Sequence, residues 1–297
     1  MTDELKKIIG EDSVRKNVLL KDYTSFKVGG AAEIFIEPKT AEDLKAAVKF
    51  LYEKQQPYYI LGNGSNLLVS DGGVKKPVIH IGKMLSGVSV FDECITARAG
   101  ATLAAISREA LKNSLSGFEF AAGIPGTLGG GVIMNAGAYG GEMKDVIEAV
   151  SYLDPSGEEH IAKNCEMEFS YRSSALQNTG CIVLGATICL KKGDGGQIKE
   201  TMSDLAMRRR DKQPLEYPSA GSTFKRPKGY FAGTAIDECG LKGAKIGGAC
   251  VSEKHAGFII NTGGATAADI LNLINYVRET VFKKTGIELE PEVKYWD

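Results

Sequence analysis

The stretch GIPGTLGGGVIMNAGAYGGE, Gly123 to Glu142, constrains this chain more than any other. Glycine reaches backbone dihedrals closed to other residues and lets a main chain lie against a ligand, at an entropic cost tolerated mainly where geometry demands it. Apolar residues interrupt the glycines too regularly for a flexible linker. Two readings follow: a backbone pressed against a ligand, or a run of tight turns packing a strand against a helix. For an isolated motif the second is the commoner.

At 297 residues the chain has length for two domains or three small ones, with proper cores and no need of disulfide staples. A net charge of −1 gives no general attraction to nucleic acid or to an acidic membrane. Any anion site must be local. The N-terminal MTDELKKIIGEDSVRKN has no signal-like apolar core, and no later run is apolar enough to span a bilayer, so a cytoplasmic protein is expected. The cysteines 94, 165, 181, 189, 239 and 250 form no C-x-x-C pair. They suit neither zinc nor a redox dithiol, and they read as reduced and mostly buried.

Segments rich in β-branched and aromatic residues read as strands: 32–38, 57–61, 66–70, 77–82, 94–100, 149–154 and 181–192. Helical spacing behind capping signals predicts helices after Thr40, with Leu44, Ala47, Val48 and Leu51 inward, and over 102–114. DPSGEE, 154–159, reads as a hairpin turn. A helix with Ile198, Met202 and Leu205 inward must end by Pro214, and another spans about 266–284 with Ile270, Leu271, Ile274 and Val277 inward. GIELEPEVKYW then reads as a closing strand. A boundary falls near residue 195.

The P-loop, H-E-x-x-H and G-x-S-x-G signatures are absent. Gly62-Asn63-Gly64-Ser65-Asn66-Leu67 approaches the dinucleotide fingerprint but has leucine in place of the third glycine, and a strand-like run follows it, so a Rossmann domain is not expected. Its glycines and small polar residues can turn several N–H groups into one concavity that holds phosphate, or form a simple hairpin turn.

Seven motifs in order, YTSFKVGG (23–30), LGNGSNLLVSDGG (61–73), AGIPGTLGGGVIMNAGAYGGE (122–142), FSYRSSAL (169–176), KQPLEYPSAGSTFKRP (212–227), KHAGFIINTGGATAADI (254–270) and LEPEV (289–293), closely resemble the UDP-N-acetylenolpyruvoylglucosamine reductase family, MurB, of peptidoglycan precursor synthesis. The resemblance spans about 20 to 295. It implies an α+β protein: an FAD-binding fold of the vanillyl-alcohol oxidase type in two α+β subdomains, 1–78 and 79–195, and an α+β substrate-binding domain, 196–297. The closing strand, about 287–297, is open to a return to the FAD-binding part.

On that resemblance Gly62, Asn63, Gly64, Ser65, Asn66 and Leu67, with Gly123, Ile124, Pro125, Gly126, Thr127, Gly129, Gly130, Asn135, Gly137 and Ala138, face a non-covalent FAD, and Arg209 lies near its flavin. A diphosphate needs convergent N–H donors, and a flat isoalloxazine needs backbone at van der Waals distance. The implied reaction uses NADPH to reduce the flavin, then transfers hydride to the vinyl carbon of UDP-N-acetylglucosamine enolpyruvate. Arg172 matches the group that binds the substrate carboxylate and steadies the growing charge. Ser222 matches the proton donor, with Glu292 as its relay and as a stabiliser of the enolate. Alone, these would be a surface ion pair, a turn hydroxyl and a solvated carboxylate. Lys212 matches the contact to the substrate diphosphate, with Gly221, Lys225, His255 and Asn261 lining the cleft; no metal is implied.

Two positions depart from the pattern: Arg226 where some members have asparagine, and Gly257 where asparagine is frequent. The chain is also too short after YRSS for the long tyrosine-bearing loop of the larger subtype. If NADPH and the sugar nucleotide alternate in one cleft, no separate cofactor domain is needed, and the kinetics are ping-pong. A monomer is expected. A flavin oxidase of hydroxy acids or lactones leaves AGSTFKRP and EPEV unexplained, and a non-catalytic flavin sensor has no need of Arg172, Ser222 and Glu292 together.

Overall fold

The computed structural model describes residues 1–297. Its helices are α1 (Thr2–Ile9), α2 (Ala41–Glu53), α3 (Leu103–Lys112), α4 (Leu128–Ile133), α5 (Gly195–Lys212), α6 (Ala232–Glu238) and α7 (Ala267–Thr285). Local signals explain their ends. Thr40 and Asp43 close a reciprocal capping box on α2, which buries Leu44, Ala47, Val48 and Leu51 as its spacing predicts. Thr102 caps α3. Thr266 and Asp269 repeat the box on α7, and Gly286 ends that helix in a left-handed conformation, φ 73°.

Two expected faces shift. On α5 only Ile198 is buried, while Met202 and Leu205 stay partly exposed. On α7 Leu273 rather than Leu271 joins Ile270, Ile274 and Val277 in the core. Both leucines flank the same stripe at 3.6 residues per turn, and the packing partner decides between them.

Compactness divides the chain differently from the three functional parts expected. One unit comprises residues 1–15, 34–62 and 76–209, the other 16–33, 63–75 and 210–297. The expected cut at 195 falls at the first residue of α5, inside the first unit.

The first unit contains an antiparallel five-stranded sheet in the order Glu159–Lys163, Ile147–Leu153, Ile182–Cys189, Cys94–Arg98, Val88–Phe91. The Asp154 carboxylate accepts from the Ser156 and Glu158 N–H groups and shapes the expected hairpin turn. Ile95, Val150 and Ile188 of the sheet share a core with Leu103 and Ile106 of α3 and Leu128 and Val132 of α4. Phe35 and Ile36 pair in parallel with Val78 and Ile79, which pair in turn with Tyr59 and Ile60.

The strand register also corrects the cysteine reading. Cys94 and Cys189, 95 residues apart in sequence, stand opposite each other on paired strands and are joined as a disulfide. Of the remaining cysteines, Cys239 and Cys250 are buried, Cys181 is half-buried and Cys165 is exposed.

The second unit packs α6 and α7 against the antiparallel strands Lys245–Ile246, Ala249–Val251 and Ile259–Asn261. The closing segment is a strand only over Lys294–Trp296, parallel to Leu67–Val69 of the same unit. Pro291 has no N–H for a longer ladder. Asp71 accepts from the N–H groups of Ala267 and Ala268, a second anion on the first turn of α7. No helix is long and apolar enough to cross a membrane.

Candidate active site

The glycine stretch of the first unit resolves into three devices. Thr127 caps α4, accepting from Gly130 N–H, and its hydroxyl stands where a Cβ on Gly62 would lie, 2.6 Å away. The two loops expected to face FAD therefore touch here. Gly129 packs against Ala99, as the tight-turn reading requires, whereas Gly123, Pro125 and Gly130 present exposed backbone. Residues 137–142 then form a hairpin, Gly137–Ala138 against Gly141–Glu142, whose two-residue tip is Tyr139 (φ 54°) and Gly140 (φ 92°).

Arg209, near the end of α5, lies over this backbone. A Cβ on Gly123 would stand 3.3 Å from its Cδ and Nη1, so glycine makes room for the guanidinium. Burial weakens the hold of Arg209 on its proton, while the phenol of Tyr139, hydrogen-bonded to it, acts in the opposite sense. Its Nε is buried without a hydrogen-bond partner. Tyr139, which the sequence did not single out, is signalled only by its place at a Tyr-Gly hairpin tip.

Asn135, buried and at φ 41°, is committed to protein partners. Its amide donates to the Glu142 carboxylate (2.9 Å) and the Ser170 carbonyl (3.0 Å), and its oxygen accepts from Lys144 N–H. The Asn135 side chain thus ties three loops together. Arg172, half-buried at φ 57°, stands over the Tyr171 ring. Lys144 foremost, with Asn135 and Arg172 adding, holds the Glu142 carboxyl below its ordinary range against the opposing effect of burial.

In the second unit, backbone pairing joins the two segments expected to carry protonation. Lys225 N–H donates to the Glu290 carbonyl, Phe224 bridges Pro291, and Glu292 N–H donates to the Thr223 carbonyl. Thr223 and Phe224 are buried and Ser222 is exposed, following Gly221 at φ 73°. The Thr223 hydroxyl accepts from Ile259 N–H. Asn66, expected at the cofactor, donates its amide to the Glu292 carbonyl at 3.1 Å. Lys225 is ion-paired with Glu290. Asn261 is a buried structural residue, donating to Phe26 and accepting from Gly263 and Ala265 N–H groups. Lys212 is exposed at the end of α5.

The two departures have physical settings. The Arg226 guanidinium lies 4.3 Å from the centroid of the Phe231 ring. Gly257 donates its N–H to Nδ1 of His255, and a Cβ there would stand 3.0 Å from the ring's Cε1, so asparagine would push the imidazole away. Burial pulls the His255 pKa down, its own backbone opposes, and Lys242 adds to the lowering. A His held below its ordinary value binds fewer protons folded than unfolded, so its neutral form contributes fully above about pH 6.5 and the contribution falls on acidification below that. Urea midpoints of wild type and His255→Gln should therefore converge as the pH falls from about 8 to about 5; a widening gap would refute the assignment.

Residues 32–163 match the profile of an FAD binding domain, a span that takes in both glycine loops, and residues 213–296 match the C-terminal domain of UDP-N-acetylenolpyruvoylglucosamine reductase. The chain is thus an FAD-dependent oxidoreductase of α+β fold. It is 52% identical over 99% of its length to the UDP-N-acetylenolpyruvoylglucosamine reductase of Caldanaerobacter subterraneus subsp. tengcongensis, covering 97% of that protein. The crystal structure of the reductase from Thermus caldophilus superposes with a TM-score of 0.83 at 39% identity, over 96% of this chain and 100% of that one. The chain belongs to the UDP-N-acetylenolpyruvoylglucosamine reductase family. A grass pollen allergen with glucose dehydrogenase activity, 17% identical with a TM-score of 0.50 over 64% of this chain and 44% of that one, shares the fold alone.

Proposed function

We propose that this chain reduces UDP-N-acetylglucosamine enolpyruvate to UDP-N-acetylmuramate with NADPH, in the cytoplasm, and that Ser222 supplies the proton. The observation that carries the reading is the pairing of residues 223–225 with 290–292, which sets the Ser222 and Glu292 segments side by side within one unit. A proton donor and its relay need that proximity.

FAD suits the residues present, because the buried Nε of Arg209 is a donor in want of an acceptor beside open backbone at Gly123. Gly62 to Leu67, Gly123 to Gly130, Gly137, Ala138 and Arg209 would hold it. When bound, FAD supplies two-electron chemistry, taking hydride from NADPH and passing it to the vinyl carbon. Arg172 then presents a permanent fork of donors to the substrate carboxylate, where charge accumulates as the hydride arrives. Ser222 delivers a proton to the carbon beside that carboxylate, and Glu292 restores it. Lys212 meets the diphosphate of either nucleotide in turn.

The test is direct. Purified protein should be yellow, release its flavin on denaturation, and oxidise NADPH far faster with the enolpyruvyl substrate than without it. Colourless protein, or NADPH oxidation indifferent to that substrate, defeats the reading.

A further inference from the structure

The Asn135 side chain, in the stretch expected to face FAD, spends both of its donors on the protein. Asn135 is 1% exposed, and its two amide hydrogens go to Glu142 Oε2 at 2.9 Å and to the Ser170 carbonyl at 3.0 Å. Ser170 and Ser173 exchange two backbone hydrogen bonds, so Tyr171 and Arg172 form the two-residue tip of a tight turn. Arg172 sits there at φ 57°, a left-handed conformation that a non-glycine residue keeps only where its surroundings impose it. The Ser170 carbonyl is the base of that turn. Ser174 Oγ donates to the Ile133 carbonyl at 3.0 Å, tying the far side of the turn to the end of α4. The same asparagine holds Glu142, whose carboxylate also accepts from the Lys144 ammonium, so one amide fixes both the turn and the acidic group whose field reaches Arg172.

We propose that Asn135 is the positioning residue for Arg172, its amide anchoring the Tyr171–Arg172 turn through the Ser170 carbonyl and fixing the Glu142 carboxylate behind it. The proposal rests on the reading that Arg172 binds the carboxylate of the enolpyruvyl substrate. A guanidinium fork recognises a carboxylate through two directed hydrogen bonds, so a turn that drifts loses recognition without losing charge. Misplacement by about 1 Å costs on the order of 100-fold in rate.

Asn135→Asp keeps the size and the acceptor for Lys144 N–H but turns an acceptor toward the Glu142 carboxylate and the Ser170 carbonyl, both themselves acceptors. In stopped flow the variant should hold flavin, be bleached by NADPH within about twofold of wild type, and be reoxidised by UDP-N-acetylglucosamine enolpyruvate about 10- to 100-fold more slowly, with a raised KM for that substrate. Protonating the new carboxyl returns one donor. Its reoxidation rate relative to wild type should therefore recover as the pH falls from about 8 to about 5.5, a response that a general loosening of the fold does not give. Added to Arg172→Ala, the substitution should cost nothing further.

Wild-type reoxidation by Asn135→Asp, equal slowing of both half-reactions, or a full additional loss in the double variant overturns the proposal. Arg172→Ala alone separates the two levels. If it reoxidises normally, the reading of Arg172 fails and takes the proposal with it; if it is slow while Asn135→Asp is normal, the proposal alone fails. Should Asn135→Asp not retain flavin, Asn135→Ala, which removes the donors without adding charge, is read by the same half-reactions and the same double variant.

Discussion

Ser222→Ala leaves NADPH able to bleach the bound flavin at the wild-type rate and slows reoxidation by the enolpyruvyl substrate about 10²- to 10⁴-fold. The asymmetry is the point of the experiment. On the proposed chemistry, hydride transfer from NADPH needs no proton from the protein, whereas the second half-reaction would leave charge on a carbon that must be protonated before product can leave. Ser222 is exposed, and the residues that fix its segment are Thr223 and Phe224, buried behind it and paired to 290–292. Removing one oxygen from an exposed residue leaves that support intact, so melting behaviour should match wild type. Glu292→Gln should follow the same pattern, because an amide cannot return the proton. Equal loss in both half-reactions would assign Ser222 to structure.

Local signals made much of the fold legible. Thr40 and Thr102 announced α2 and α3, and each accepts the bond expected of it, whereas apolar spacing announced α7 and its Thr266 cap emerged only in the structure. What escaped depends on contacts distant in sequence. Nothing near Cys94 or Cys189 indicates that their strands pair in the register that sets them opposite each other. The choice of Leu273 over Leu271 belongs to the surface α7 packs against. At the site, residue type alone leaves open which of two ends one side chain serves. Asn66, Asn135 and Asn261 were read as facing cofactor or substrate, yet each spends its amide on a carbonyl of the protein, at Glu292, Ser170 and Phe26 respectively. An asparagine in a glycine-rich loop is as useful for holding the loop as for holding a ligand. Tyr139 and Arg209 show the converse, since a hydrogen bond between a hairpin tip and a helix end leaves no local trace.

Gly64→Ala removes flavin from the purified protein and lowers its stability by about 3 kcal/mol or more. Gly64 has φ 58°, and an added Cβ would stand 2.2 Å from the Tyr23 carbonyl oxygen and 3.0 Å from the Thr24 Cα. These are backbone atoms that cannot swing aside as a side-chain tip can. The Tyr23–Thr24 segment is itself held by the loop, because Ser25 N–H donates to the Gly64 carbonyl at 3.1 Å. Relieving the clash therefore breaks the contact that orders both segments, and the next residues, Ser65 and Asn66, lose their placement in the loop proposed to hold FAD, Asn66 together with its bond to the Glu292 carbonyl. Gly140→Ala is the control. It carries φ 92° with nothing within 4 Å of the added carbon, so it meets backbone strain alone, at about 1 kcal/mol. Flavin content after gel filtration and thermal midpoints of the two variants separate the contributions. If Gly64→Ala retains flavin and melts with Gly140→Ala, the loop bends away from Tyr23 at little cost, and its glycine serves the turn rather than the packing beneath it.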